Sequence, residues 1–356
     1  MRALVVTSVH RSDDPRIRER TVRSLATVFD VRYASRAPGP AAGGDHEWVR
    51  LAGGRLRRDW GAFLRMMAGD VDVVSVHDPE LIPAALVARL LRRVPVVVDV
   101  HEDVPAQMLH KDWVPRLLRR PLAWASRVLL RLAERCCVVT LAEEGYRHLF
   151  RRDHPVFPNH PAAESLPPPA GDEGYLVYVG DVTEERGALD MVEAVGAMAR
   201  PRPLRLVGRC RADLAERLRR RAGELGVPLE VEGPLPHRAA MERAAGASAG
   251  LSLLRPLPNY LHSLPTKVIE YLEMGLPVVA ADLPGTREAV AGLAGVALVT
   301  AGEPAAAAAA LDRMAGDPAA RREAAAQAPA LRERLVWPAA AVVALYRQAA
   351  GRRSGD

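Results

Sequence analysis

The stretch PTKVIEYLEMGLPVVAAD, residues 265–282, has the pattern of a helix that leads into a buried strand. Lys267 falls in the first helical turn, where a cation opposes the helix dipole. Glu270 lies one turn further on, in a largely apolar segment. A bound anion at the helix start and a carboxylate that accepts ligand hydroxyls would explain both residues. The alternative is an ion pair between Lys267 and Glu270 at i,i+3 spacing, which needs no ligand.

The same alternation of short β-branched runs and longer helical segments continues along the 356-residue chain. Asp14 before Pro15 predicts the start of one helix, and Asp78 before Pro79 predicts the N-cap of another. Fully apolar strands are buried on both faces, which indicates parallel sheets covered by helices. Strands are predicted at 3–8, 71–76, 94–100, 136–140, 175–179, 203–207, 228–232, 249–253, 277–280 and 297–300.

A segment rich in proline and small polar residues, 158–174, interrupts this alternation, and we interpret it as an interdomain linker. We therefore predict an α/β protein with two doubly wound, Rossmann-like domains, at 1–165 and 173–335. The carboxyl ends of both sheets are expected to face a cleft, because such sheets bind ligands at those ends.

Composition narrows the class of partner. The net charge of +6 suggests an anionic ligand, but only 4% of residues are aromatic and no nucleic-acid-binding motif occurs. We therefore expect no nucleic acid. No apolar run reaches the roughly 18 residues that a membrane span needs. Three cysteines, Cys136, Cys137 and Cys210, have no ligand spacing and are predicted to be reduced core thiols of a cytoplasmic protein.

The segment 113–135 predicts an amphipathic helix with one apolar stripe and many arginines. One interpretation is that the stripe packs on the protein's own sheet while the arginines are solvated. The other is a peripheral contact with anionic lipid at the inner face of a membrane. The stripe consists of Leu117, Leu118, Leu122, Ala125, Val128, Leu129 and Leu132.

Two further places carry candidate chemistry. Gly180 ends a predicted strand, and Arg186-Gly187 opens a helix, where free backbone N–H groups and an arginine can hold phosphate. The alternative is an ordinary strand-to-helix turn. His101 follows a buried strand at its carboxyl end, where it could bind a ligand, carry a proton or be a satisfied structural histidine. We interpret His77, beside Asp78, as structural.

Taken together, several motifs resemble the GT-B glycosyltransferases, specifically the retaining family 4 group that uses nucleotide sugars. The resemblance covers nearly the whole chain, and its two specific motifs are VYVGDVTEERGALDMVEAV and PTKVIEYLEMGLPVVAADLPGTREAV. The final segment, WPAAAVVALYRQ, is similar to the helix that crosses back onto the first domain in that fold, which gives a third segment at 336–352. The other motifs are DDPRIRER, HDPELIPAALVARL, PVVVDVHEDVP and FPNHP.

The resemblance implies a role for each matching residue. Glu270 would bind the nucleotide ribose, Arg186 the donor diphosphate beside the Gly180 turn, and His101 would lie at the reaction centre. Leu235, in EGPLPH, would lie against the base. The diphosphate would also be held by Gly187, by Lys267 and by the backbone of Ser263, Leu264, Pro265 and Thr266.

Two positions depart from the family pattern. His262 stands where the first glutamate of a pair is expected, eight residues before Glu270, and Asp181 replaces a second arginine after Gly180. The first change bears on the identity of the transferred sugar. The second leaves Arg186 as the main cation for the diphosphate.

The resemblance implies a hexosyltransferase that is metal-independent, needs no cofactor and retains anomeric configuration. A UDP-sugar is the favoured donor, and the acceptor is a sugar, a lipid-linked intermediate or a small molecule. The sequence leaves the oligomeric state open. Two other functions remain open: a nucleotide-sugar epimerase that uses Glu102, Asp103 and His262, and a catalytically silent binding subunit.

Overall fold

The computed structural model describes residues 1–37, 46–110, 114–161, 166–261, 263–315 and 317–351. It divides into two units. The first is Met1–Asn159 together with the chain from Trp337 onward, and the second is His160–Val336. The predicted first domain, 1–165, ends in residues 162–165, which lie outside the described residues, as does position 113 of the predicted amphipathic helix.

The first unit is built on a six-stranded parallel sheet in the order β3-β2-β1-β4-β5-β6. Its strands are β1 Arg2–Arg11, β2 Asp30–Arg36, β3 Glu47–Arg50, β4 Val73–Val76, β5 Val96–Val100 and β6 Val138–Leu141.

The helices of the first unit cover both faces of this sheet. A π-helix, Pro15–Val22, runs into α1, and short 3₁₀ segments occur at Pro79–Leu81 and Glu144–Leu149. The α-helices are α1 Arg23–Ala26, α2 Arg55–Met67, α3 Ile82–Arg92, α4 Val104–His110 and α5 Arg116–Cys136. Since both faces are covered, β4 and β5 are buried along their whole lengths, as their apolar sequences predict.

The second unit repeats the architecture, with the order β12-β11-β10-β7-β8-β9. Counted from its own first strand, this is the same doubly wound order as in the first unit. The strands are β7 Leu176–Val179, β8 Leu204–Val207, β9 Leu229–Glu232, β10 Ala249–Ser252, β11 Val278–Ala281 and β12 Val296–Val299.

Helices also cover both faces of the second sheet. They are α6 Ala188–Gly196, α7 Ala212–Glu224, α8 His237–Ala245, α9 Pro258–Leu261, α10 Thr266–Glu273, α11 Pro284–Ala289, α12 Pro304–Met314 and α13 Pro318–Arg334.

The last helix, α14 Ala339–Gly351, belongs to the first unit. Its buried face, with Val342 and Tyr346, packs with Trp337 against α1 and the first sheet. Tyr346 Oη lies 2.6 Å from Ser75 Oγ on β4, and Trp337 Nε1 donates to Ser24 Oγ at 2.9 Å. These buried hydrogen bonds fix the helix on the sheet.

The prediction of two parallel sheets covered by helices is confirmed, but it did not include two of the strands, β2 and β3. β2 and β3 lie at one side of the first sheet, and β3 is half-exposed on both faces. A half-exposed edge strand lacks the continuous apolar run by which the other strands are recognised. In β2, the alternation around the buried Tyr33 was the available signal.

Candidate functional site

The turn after β7 lies at the carboxyl edge of the second sheet and contains three of the predicted residues. Gly180 has φ of 147°, and Gly187, the N-cap residue of α6, has φ of 77°. A Cβ atom on Gly187 would lie 1.9 Å from the carbonyl oxygen of Leu253. Glycine is therefore required at 187 because the chain after β10 passes against it.

Arg186 is a half-buried cation in this turn. Its guanidinium faces the phenol groups of Tyr178 and Tyr260, and it forms no ion pair with a carboxylate in the described part of the chain. Burial alone would lower the pKa of Arg186, and the two phenols outweigh burial and raise it. A partly desolvated guanidinium without a counter-ion favours the binding of an anion. Neither tyrosine was predicted.

An open pocket of about 480 Å³ adjoins this turn. It is formed by the loops that follow β7 and β8, and charged side chains on its wall pair with one another: Arg209 with Asp181 at 3.3 Å and Arg211 with Asp213 at 3.0 Å. Asp181, which stands where the family pattern has an arginine, is therefore partnered by Arg209.

Glu270 is almost fully buried on α10, and both of its oxygens are bound. Lys267 Nζ donates to Oε2 at 2.7 Å, and His237 Nε2 lies 2.9 Å from Oε1. Burial alone would raise the pKa of Glu270, but Lys267 and His237 hold it well below the usual range for glutamate. The ion pair that the sequence left open therefore exists, and His237 is a third member that was not predicted.

Tyr271 is one of the side chains that anchor the helix carrying Glu270 to the sheet. Tyr271 Oη accepts a hydrogen bond from Val179 N–H at 2.9 Å, directly before Gly180. The ring of Tyr271 occupies the space above Gly250 on β10, where a Cβ atom would lie 2.4 Å from it. This arrangement ties α10 to the carboxyl end of β7, the strand that leads into the Arg186 turn.

The other predicted residues of the second unit flank the same elements. Leu235 lies in the loop between β9 and α8 and packs partly against the core. Pro265 is the N-cap residue of α10 and is buried, while Ser263, Leu264 and Thr266 are half-buried. Thr266 N–H donates to Leu264 O at 2.9 Å. His262 lies outside the described residues.

In the first unit, three histidines lie at the carboxyl ends of the central strands. They are His10 on β1, His77 after β4 and His101 after β5. The strand order changes direction between β1 and β4, which is the switch point where doubly wound sheets bind ligands. His101 was predicted to be a site residue and His10 was not.

A buried ion pair lies directly beneath these histidines. Arg16 donates from Nε and Nη2 to the two oxygens of Asp99, each at 2.7 Å, and from Nη1 to Asn159 Oδ1 at 2.7 Å. Thr140 Oγ1 donates to Asp99 Oδ1 at 2.9 Å. Burial alone would raise the pKa of Asp99, and Arg16 holds it well below its usual value. Three of the quoted motifs, around residues 16, 99 and 159, therefore meet in one cluster.

Asp78 does not act as the predicted helix cap. Its side chain turns instead toward the end of β1, where Oδ2 accepts from Thr7 Oγ1 at 2.9 Å and from Ser8 N–H at 2.5 Å. Because only the short 3₁₀ segment Pro79–Leu81 follows, the buried Asp78 carboxylate binds the neighbouring loop instead of capping a helix. Asp14 does cap its helix, accepting from Arg16 N–H and Ile17 N–H at 3.0 and 3.1 Å. His77 Nε2 bonds Ser75 Oγ at 3.1 Å, consistent with a structural role.

Two groups of side chains have a spacing that could suit a metal ion. His77, Asp99 and His101 place ligand atoms within 4.8 Å of one another, but both Asp99 oxygens are already bound by Arg16. One D-x-D spacing, Asp70 and Asp72, precedes β4 at the amino end of the sheet. Asp70 pairs with Arg2 and Arg32 there, and Asp72 accepts from Arg2 N–H. Neither arrangement is an open coordination site.

The amphipathic helix α5 is exposed along its predicted stripe. Its buried residues are Leu130, Ala133 and Glu134, whereas Leu117 of the stripe is 91% exposed and Trp124, outside the stripe, is 70% exposed. The expectation that the stripe packs on the sheet is therefore wrong for most of its length. The neighbouring α2 and α3 also present exposed large apolar side chains, namely Leu56, Trp60, Leu64, Val87, Leu90 and Leu91.

The cysteines were predicted to be core thiols, and this is wrong, since Cys136 is exposed and Cys137 and Cys210 are half-buried. All three are free. Cys136 and Cys137 lie at the end of α5, where only part of the helix contacts the sheet. In the described part of the chain, none of the helices combines the length and apolarity needed to cross a membrane.

Two family models match the chain and together span most of it. Residues 1–160 match the glycosyl transferase 4-like domain, and residues 173–317 match the model of glycosyl transferases group 1. No curated protein sequence matches the chain.

Solved structures with the same fold include several glycosyltransferases. Sucrose-phosphate synthase from Thermosynechococcus elongatus has a TM-score of 0.76 at 18% identity, over 97% of this chain and 98% of that one. Anabaena HepE in complex with UDP has a TM-score of 0.69 at 16% identity, over the full length of both chains. WaaG, a glycosyltransferase involved in lipopolysaccharide biosynthesis, gives 0.68 at 13% identity, also over both full chains.

Proposed function

Because the chain belongs to the family 4-like glycosyltransferases of the GT-B fold, we propose that it transfers a sugar, with retention, from a nucleotide diphosphate sugar to an acceptor hydroxyl. The observation that carries the proposal is Arg186, a half-buried guanidinium at a sheet's carboxyl edge with phenols as neighbours and no carboxylate partner among the described residues. A diphosphate is the anion that suits such a cation beside the first turn of a helix.

The donor site would use the remaining predicted residues of the second unit. An ammonium has three donors, and Lys267 uses one of them on Glu270, which leaves two for a phosphate oxygen. Each Glu270 oxygen keeps a lone pair for a ribose hydroxyl. A UDP-sugar is the proposed donor, a choice supported by the solved structures of HepE with UDP and with UDP-glucose.

The proposed chemistry balances without a metal ion or a covalent enzyme intermediate. The bond between the anomeric carbon and the diphosphate oxygen breaks, and its electron pair leaves with the diphosphate. The acceptor oxygen forms the new bond on the same face, and its proton passes to a diphosphate oxygen. Arg186, Lys267 and the start of α10 would stabilise the developing negative charge. His101 is proposed to take part in the transfer step.

The experiment is a thermal-shift panel of nucleoside diphosphates and nucleotide sugars, followed by turnover with the donor that stabilises the protein most. Arg186→Ala should lose most of that stabilisation and lower turnover by a factor of a hundred or more, roughly the effect of losing one charge-stabilising donor. Arg209→Ala, at the wall of the neighbouring pocket, is the matched control and should retain both. Equal stabilisation of the wild type and Arg186→Ala would contradict the proposal.

Metal independence is tested in the same assay. Turnover should survive EDTA, since arginine and backbone N–H groups carry the charge stabilisation. Activity that disappears with EDTA and returns with Mg²⁺ would exclude the metal-free mechanism.

We also propose that the first unit docks onto anionic lipid through α5 and its neighbours. In the described part of the chain, every large apolar side chain that is highly exposed lies in this unit, and all but Met1 belong to α2, α3, α4 or α5. The arginines of α5 outnumber its one carboxylate, Glu134, which is buried. Such a surface suits a lipid-linked acceptor.

A further inference from the structure

His10 lies in a continuous chain of hydrogen bonds that ends at His101. Its Nδ1 is 3.0 Å from Asp14 Oδ2, and its Nε2 is 3.2 Å from His101 Nε2. On the far side of the ring, His101 Nδ1 is 3.2 Å from the backbone carbonyl oxygen of Asp99. A carbonyl can only accept, so this last contact requires a proton on His101 Nδ1.

The proton on His101 Nδ1 fixes where the other protons lie in this chain of hydrogen bonds. His101 with its proton on Nδ1 presents a lone pair at Nε2, so the contact with His10 needs a proton on His10 Nε2. The contact between His10 Nδ1 and the Asp14 carboxylate needs a second proton, on Nδ1. His10 is therefore a doubly protonated imidazolium between a carboxylate and a neutral histidine.

The backbone and charges around His10 support this state. His10 N–H donates to Thr7 Oγ1 at 3.0 Å, and Thr7 Oγ1 in turn donates to the buried Asp78. Asp78 Oδ1 lies 3.5 Å from His10 Nε2, and Glu102 adds a further negative charge. Burial alone would lower the pKa of His10, but Asp14 and these carboxylates raise it to about 9. The pKa of Asp14 is correspondingly lowered to about 2, and burial lowers that of His101.

We propose that the Asp14–His10 pair is a positioning device for His101, holding its ring in one orientation and one tautomer for sugar transfer. The inference rests on the proposed function only in the role given to His101. His10 acts through His101 and is therefore a positioning residue. A misplacement of a reacting group by about 1 Å costs on the order of a hundredfold in rate.

The first test does not depend on activity. In protein labelled with ¹⁵N-histidine, the ring signals of His101, assigned with His101→Gln, should report a proton on Nδ1. In His10→Ala the ring loses the donor at Nε2 that holds it against the Asp99 carbonyl, so the signals should report a mixture of tautomers. A proton on Nε2 in the wild type, or no change in His10→Ala, would overturn the proposal.

The second test separates positioning from folding. His10→Ala should lower kcat on the order of a hundredfold with a donor KM close to the wild type, whereas His10→Gln, which keeps an N–H near the Nε2 position, should recover part of the loss. The wild-type rate should fall as the pH rises through about 9, where His10 loses its proton, and His10→Gln should lack that alkaline limb. His154→Gln, which disrupts a half-buried histidine–Glu134 pair without a link to His101, is the control and should keep kcat and the limb.

Failure of the proposed function and failure of this inference would give different results. A wild-type protein that binds no nucleotide sugar defeats the proposed function, while the ring signals of His101 still test the hydrogen-bond chain. An active wild type whose kcat and alkaline limb are unchanged in His10→Ala defeats the inference alone.

Discussion

At the scale of single residues, the most informative side chain of the second unit is Glu270, because its charge is buried and each of its oxygens has a partner. Lys267 and His237 each bind one oxygen. Removing one member of a buried ionic cluster costs far more than an exposed pair contributes, since it strands the remaining charge.

We predict that Glu270→Gln lowers the free energy of unfolding at pH 7 by on the order of 3 kcal/mol. Because the folded-state pKa of Glu270 lies below the unfolded value of about 4.3, this contribution is present above that pH and fades as the pH falls further. The difference between variant and wild type should therefore shrink in acid. Urea unfolding at several pH values measures it.

Glu242→Gln is the matched control, because Glu242 pairs with Arg238 at 3.1 Å on an exposed helix face. That variant should change stability by less than about 0.5 kcal/mol. A Glu270→Gln variant as stable as Glu242→Gln would mean that the buried cluster contributes little.

The sequence predicted individual site residues unevenly. Glu270, Arg186 and His101 were recognised because a charge or an imidazole in an apolar run, or at a strand end, is locally conspicuous. Their partners His237, Tyr260 and His10 are ordinary residues in their own segments, and only the fold brings them within contact. Asp78 was misread for the same reason, since the groups that donate to its carboxylate come from a strand about 70 residues away.

At the scale of elements, the contact between β10 and α10 depends on the absence of one side chain. Gly250 leaves room for the Tyr271 ring, whose hydroxyl accepts from Val179 N–H at the end of β7. We predict that Gly250→Ala destabilises the protein by roughly 1–3 kcal/mol, because its Cβ would displace the ring. Urea unfolding monitors the change.

Gly223→Ala is the control, and we expect it to change the stability in the opposite direction. Gly223 lies inside α7 with nothing near its missing Cβ, so alanine should stabilise by up to about 1 kcal/mol. If Gly250→Ala were neutral while Gly223→Ala stabilised, the close approach of the Tyr271 ring would not be a real constraint.

A second prediction at this scale concerns α5. The protein should co-sediment with vesicles that contain phosphatidylglycerol and bind weakly to pure phosphatidylcholine, since each arginine near an anionic surface contributes about 1 kcal/mol. Leu117→Ser with Trp124→Ser should abolish most of the binding. The double variant Ala326→Ser with Ala330→Ser, on exposed positions of α13, is the control. Binding that ignores both lipid charge and the α5 variant would contradict the docking proposal.

At the scale of the whole molecule, the first unit depends on the last residues of the chain. Trp337, Val342 and Tyr346 are buried in its core, and replacing even one large core side chain by alanine costs about 3–5 kcal/mol. We predict that a chain ending at Val336 has an unfolded first unit and a folded second unit. Calorimetry and limited proteolysis read the two transitions separately.

A chain that ends at Gly351 is the control and should melt like the full-length protein. A truncation at Val336 whose first unit still resists proteolysis would show that α14 adds little to it.

Alternation of strands and helices, together with the proline-rich segment 158–174, made the two-sheet plan predictable. The return of the chain at Trp337 came only from the family resemblance, because an amphipathic terminal helix can pack on either sheet.

The two crossings of the chain are close together in the first unit, where the rings of Phe157 and Trp337 lie 6.2 Å apart. The second unit is thus an uninterrupted insert whose entry and exit are neighbours. Splicing Asn159 to Trp337 with a few glycines and serines would close the first unit on itself, and residues 160–336 could be grafted elsewhere as a single cassette. The two units could in this way be produced and studied as separate proteins.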